Sequence, residues 1–158
     1  MSNAFVYVTY IRTTPDKLWR ALTDNTFMRL YWLGCEGQSD WQPGSPWRLV
    51  NREGQVMDTG EVLEAAPPFR LVLKWRNEFR PELNAEGYSR CAFEIEPLVD
   101  TGIVKLSITH TMEQEGGAKF IQAVSGGWPL ILSNLKSLLE TGEVLAASKA
   151  QFDTRAVG

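Results

Sequence analysis

Six apolar residues near the end of the chain, Ile121, Val124, Trp128, Ile131, Leu135 and Leu138, recur at alternating spacings of three and four, and Leu132 and Leu139 widen the stripe. This is the broad apolar face of a helix that must bury itself against another layer. Pro129 falls inside the stripe. It has no amide proton for the Ser125 carbonyl, and its ring crowds the preceding turn. The stripe nevertheless keeps its register, which predicts one helix from about Gly117 to Thr141, kinked near Pro129. Gly142 supplies the stop.

The layer under that helix is read from alternation. In Ile103–Thr111, Val104, Leu106, Ile108 and His110 share one face, while Lys105, Ser107, Thr109 and Thr111 share the other. Cys91, Phe93 and Ile95 oppose Arg90, Glu94 and Glu96, and Leu71, Leu73 and Trp75 oppose Arg70, Lys74 and Arg76. One face is apolar and one solvated, as in a sheet covered on a single side. Further strands are expected at Phe5–Ile11, Trp47–Asn51 and Val56–Glu64, and the polar run Arg80–Gly87 is expected to be a loop. Short links at Gln42-Pro43-Gly44, Glu53-Gly54, Pro67-Pro68 and Asp100-Thr101-Gly102, with no helix between them, argue for an antiparallel meander. After the first strand, Thr14-Pro15-Asp16 and then Asp24 open two short helices. The fold class is α+β. One domain spans residues 1–158, with a core of about 5–142 and a tail over 143–158.

Composition narrows the function. A net charge of −3 gives no general attraction to phosphate backbones, so nucleic acid is not an expected partner. No apolar run is long enough to span a bilayer, and the first dozen residues alternate rather than forming a signal peptide. A cytoplasmic protein with no membrane partner is expected. Cys35 and Cys91 are far apart and read as reduced thiols; with the single His110 they match no zinc spacing, so no metal and no cofactor are assigned.

Six tryptophans in 158 residues call for a deep core or a cavity. Trp47, Trp75 and Trp128, with Leu73 and Phe93 beside them, could cage an apolar ligand, and they serve equally as plain core. His110, on the inner face, could orient a ligand or be a buried histidine satisfied by a neighbour. Glu94 and Glu96 share the outer face, where no sheltered acid–base pair can form. There is no nucleophile elbow and no phosphate-binding glycine loop, so no catalytic residue is assigned.

The words Thr14-Pro-Asp-Lys-Leu-Trp-Arg-Ala-Leu-Thr-Asp24, Tyr31-Trp32, Gly60-Glu-Val62, Leu73-Lys-Trp75, Ile108-Thr-His110 and Gly127-Trp-Pro-Leu-Ile-Leu-Ser-Asn-Leu-Lys-Ser-Leu-Leu-Glu140 resemble the family of the activator of heat-shock-protein-ninety ATPase, within the START-like (SRPBCC) superfamily. The resemblance implies a helix-grip fold, in which a seven-stranded antiparallel sheet wraps the long helix. It also implies a cavity between sheet and helix for a small apolar ligand, with Tyr31 and Trp32 at its mouth. A chaperone partner, or cyclase or aromatase chemistry in the same cavity, are the alternatives it carries. The expected state is a monomer or weak homodimer.

Overall fold

A computed structural model describes residues 4–114 and 117–145; most of the expected tail lies outside them. Strand β1 (Ala4–Arg12) leads into helix α1 (Pro15–Thr23) and helix α2 (Asn25–Tyr31). Both helices start where capping chemistry puts them. Thr14 Oγ1 accepts from the Lys17 amide with Pro15 in the first turn, and Asp24 accepts from the Phe27 amide. Six strands follow: β2 (Glu36–Ser39), β3 (Pro46–Val50), β4 (Val56–Ala66), β5 (Arg70–Asn77), β6 (Ser89–Leu98) and β7 (Ile103–Met112), with the short helix α3 (Pro81–Asn84) between β5 and β6. The sheet order is β1-β7-β6-β5-β4-β3-β2, antiparallel throughout, so β1 and β2 are its edges.

Helix α4 (Ala118–Thr141) runs unbroken through Pro129 and ends at Gly142, whose φ of 86° is the left-handed conformation glycine adopts without strain. Of the expected stripe, Ile121, Trp128, Ile131, Leu132 and Leu135 are buried and Val124, Leu138 and Leu139 are half-buried against the core; Phe120 and Asn134 are buried as well, and Asn134 Oδ1 accepts from the Leu145 amide. Against them lie the inner faces of β4 to β7, with Val62, Leu71, Leu73, Phe93, Ile95, Leu106 and Ile108 all buried.

Arg80–Gly87 is not the plain loop that its polarity suggests. Asn77 Oδ1 accepts from the Phe79 and Arg80 amides and turns the chain, Pro81 starts a helical turn, and Leu83 is buried under it. The reason is local: one apolar residue pointing inward is enough to hold a turn that periodicity cannot reveal.

Candidate functional site

The eight residues singled out in the sequence are all buried, none more than 6% exposed. Six of them form one aromatic cluster. Trp75 on β5 is its hub: Trp47 from β3 meets it edge-on at 4.7 Å between ring centroids, Trp32 at the end of α2 stacks on it at 6.1 Å, and Trp128 of α4 meets it at 5.8 Å. Phe93 packs edge-on against Trp128 at 5.8 Å, and His110 lies 5.2 Å from Trp75. Leu73 sits on the same strand between Val62 and Cys91. Tyr31 adjoins this cluster through Trp32, at 6.1 Å between ring centroids, and its hydroxyl reaches toward α1, where it donates to the Ala21 carbonyl at 2.8 Å.

His110 is held at both ring nitrogens. Trp128 Nε1 donates to Nδ1 at 3.1 Å, and Nε2 lies 2.8 Å from Ser89 Oγ. An indole N–H can only donate, so Nδ1 accepts and the ring proton is on Nε2. Nε2–H therefore donates to Ser89 Oγ, and the Ser89 hydroxyl in turn donates to the Trp75 carbonyl at 3.0 Å. The string from α4 to β5 is complete. Burial pushes the His110 pKa down to about 3, so the ring is neutral at ordinary pH.

A second buried polar group was not singled out in the sequence. Asp58 lies on the inner face of β4, directly opposite Asn77 and next in register to Leu49. The Trp75 indole and the Asn77 side chain hydrogen-bond to its carboxyl. Burial raises its pKa to about 7, those bonds offset part of the rise, and the Glu78 charge adds to it. Cys35, nearby, is pushed up to about 12, by burial first and then by Asp58 and Glu53. The sequence signal was an acid in the inward phase of β4, with Gly60 and Val62. Ser89 and Asn77 gave no signal of their own, because their roles depend on strand register.

Gly60 explains how so many indoles fit. The Trp47 side chain crosses β4 there and donates from Nε1 to the Lys74 carbonyl at 2.8 Å, and a Cβ on Gly60 would run into both groups. On the outer face, a groove of about 690 Å³ is lined by Gln38, Arg48, Thr59, Glu61, Lys74 and Tyr88 among others. Lys74 and Arg76 both lie 4.6 Å from the Tyr88 ring centroid. Among the described residues, no group of three or more His, Cys, Asp or Glu side chains could hold a metal ion, and no helix is long and apolar enough to cross a membrane.

No curated protein matches the sequence. Among solved structures, it is similar to an HSP90 activator from Plasmodium falciparum, with a TM-score of 0.68 and 24% identity over 86% of this chain and 95% of that one. It is also similar to a protein from Mesorhizobium loti, with a TM-score of 0.71 and 23% identity over 86% and 96%, and to the Aha1 dimer from Colwellia psychrerythraea, with a TM-score of 0.69 and 18% identity over 88% and 97%. At these identities the likeness shows the fold alone, a helix-grip arrangement. The family model for the activator of Hsp90 ATPase homolog 1-like protein matches residues 12–140, most of the chain and every element from α1 to the last turn of α4, and the chain belongs to that family.

Proposed function

We propose that this protein acts through its surface, as an accessory protein for a chaperone ATPase of the Hsp90 type. The observation that carries this reading is how fully the described side chains of the inner face are engaged with one another. The predicted ligand-contacting side chains are packed on one another, and both His110 nitrogens and the Tyr31 hydroxyl are already engaged within the protein. A preformed ligand site keeps accessible apolar wall and a few unengaged polar groups. Recognition then falls to the outer face, where the groove beside Lys74 and Tyr88 offers both charges and an aromatic ring. Family membership and the similarity to an HSP90 activator support the same partner class. The test is calorimetric titration of the protein into a purified Hsp90-type chaperone, together with its ATPase rate. Saturable binding and an altered rate are expected. No binding at micromolar concentration, alongside one-to-one uptake of an apolar fluorophore by the protein, would overturn the proposal.

The second reading keeps the apolar ligand, contacted by Tyr31, Trp32, Trp47, Leu73, Trp75, Phe93, His110 and Trp128. Asp58 favours it: a buried ionisable carboxyl beside an aromatic cluster is a common mark of a site under functional constraint. The ligand would enter by displacing α4 from the sheet. Mass spectrometry of natively purified protein decides, since a co-purifying apolar compound in stoichiometric amount is required.

A further inference from the structure

Half of edge strand β1 is uncovered. Its other side pairs with β7 from Ala4 opposite Thr111 to Arg12 opposite Ile103. At its far end the edge is closed by α4: Lys136 Nζ donates to the Tyr10 carbonyl at 2.6 Å, and the Arg12 amide donates to Glu140 Oε2 at 2.9 Å. Alternate residues of a strand turn their backbone groups to the same side. Ala4, Val6 and Val8 therefore present N–H and C=O groups to the edge that Tyr10 and Arg12 share, and among the described residues nothing meets them. Their side chains are open as well, Val6 being 61% and Val8 43% exposed. No charged residue lies between Ala4 and Tyr10. The opposite edge, β2, is short and guarded, since Arg29 pairs with Glu36 and Arg48 bonds Gln38. An open, uncharged, β-branched edge is a template for another strand.

We propose that this half-edge binds a second copy of the chain, β1 against β1, about a two-fold axis through Val6. That register opposes Val6 to the partner's Val6 and Ala4 to the partner's Val8. It uses every open backbone group of 4, 6 and 8 and stops short of the groups that α4 has closed. About six new backbone hydrogen bonds form, two for each bonded pair. On the inner face Phe5 comes opposite the partner's Tyr7. Phe5 and Tyr7 are half-buried and already stack on each other at 6.2 Å, so the pairing joins two such stacks into one four-ring cluster. No like charges are opposed at any position. The segment is complementary to itself, which is what an isologous interface requires and what an arbitrary foreign strand would not supply.

Five residues a side is a small contact, so association in the range of about 10 μM to 1 mM is expected. Sedimentation equilibrium of the full chain across that range tests it: the mass should rise from 17.8 kDa toward twice that value. Val6→Lys places two ammonium groups face to face on the axis at an exposed position, and should abolish the rise with an unchanged thermal melt. Should that variant melt early, Val8→Lys replaces it, with at least a roughly tenfold weaker association expected. Amide exchange gives a reading independent of any variant. Val6 and Val8 amides should slow at high concentration, while those of Tyr7 and Thr9, already bonded to β7, should not change. A chain that stays monomeric throughout, or a dimer that survives both lysines with Val6 and Val8 amides unprotected, would overturn the proposal.

Discussion

Replacing Asp58 by Asn should make this protein more stable at alkaline pH. In the folded chain the carboxyl titrates at about 7, against 3.8 for an unperturbed aspartate. Below about pH 4 both states hold the proton and the residue costs nothing. Between the two values the unfolded chain releases its proton and the folded chain keeps it, so stability falls as pH rises. Above about pH 7 the full penalty of a buried carboxylate is present. A shift of three pH units corresponds to ~4 kcal/mol, and relaxation around the charge reduces this to about 2–4 kcal/mol. Asn keeps an oxygen for the Trp75 indole and the Asn77 amide and removes the charge. Urea denaturation followed by tryptophan emission at pH 4.5, 6 and 8 reads the difference between variant and wild type, in which the other titrating groups cancel. The variant should lead by about 2–4 kcal/mol at pH 8 and by less than about 1 kcal/mol at pH 4.5. A difference that does not change with pH, or a variant weaker than wild type at pH 8, would refute the reasoning.

Leu135→Ala truncates a fully buried side chain on the sheet-facing side of α4 and should cost about 2–5 kcal/mol in denaturant melts. Gly60→Ala puts a methyl group into the Lys74 carbonyl and the Trp47 indole nitrogen; backbone cannot yield as a side-chain tip does, so a loss of about 1–3 kcal/mol or more is expected by the same measurement. His110→Ala leaves the Trp128 N–H without its acceptor, while Ser89 keeps its bond to the Trp75 carbonyl, and should lower stability by about 1–3 kcal/mol, with a shift in tryptophan emission.

The elements that carry strong periodicity were legible in the sequence. The stripe from Ile121 to Leu138 fixed α4, and the alternation of Leu71-Leu73-Trp75, Cys91-Phe93-Ile95 and Val104-Leu106-Ile108 fixed which face it covers. Strand β2 was not delimited, because Glu-Gly-Gln-Ser has no alternation and is held only by pairing with β3. Helix α3 was hidden for a similar reason, as its single inward residue, Leu83, makes no pattern. The inward phase of His110 could be read, but its partner could not. Ser89 reaches it because Cys91 stands opposite His110, and that register is a property of the folded sheet. Asp58 was readable in phase, and what concealed it was the expectation that a carboxylate in a strand faces water.

Asp58 and His110 are linked through Trp75. Its indole N–H bonds Asp58 and its carbonyl accepts from Ser89, whose Oγ accepts from His110 Nε2–H, and His110 Nδ1 in turn accepts from Trp128. A change of charge at Asp58 therefore acts on the residue against which the His110 string ends. The string also joins α4 to the sheet by directed bonds as well as by apolar contact. Any ligand that displaces α4 must supply an acceptor for the Trp128 N–H or leave that group buried and unpaired. A purely aliphatic molecule supplies none. If the interior does open for a ligand, the chemistry of this string selects an apolar molecule carrying at least one hydrogen-bond acceptor, and a series of fluorescent hydrocarbons and their ketone analogues, compared by titration, should show binding of the ketones alone.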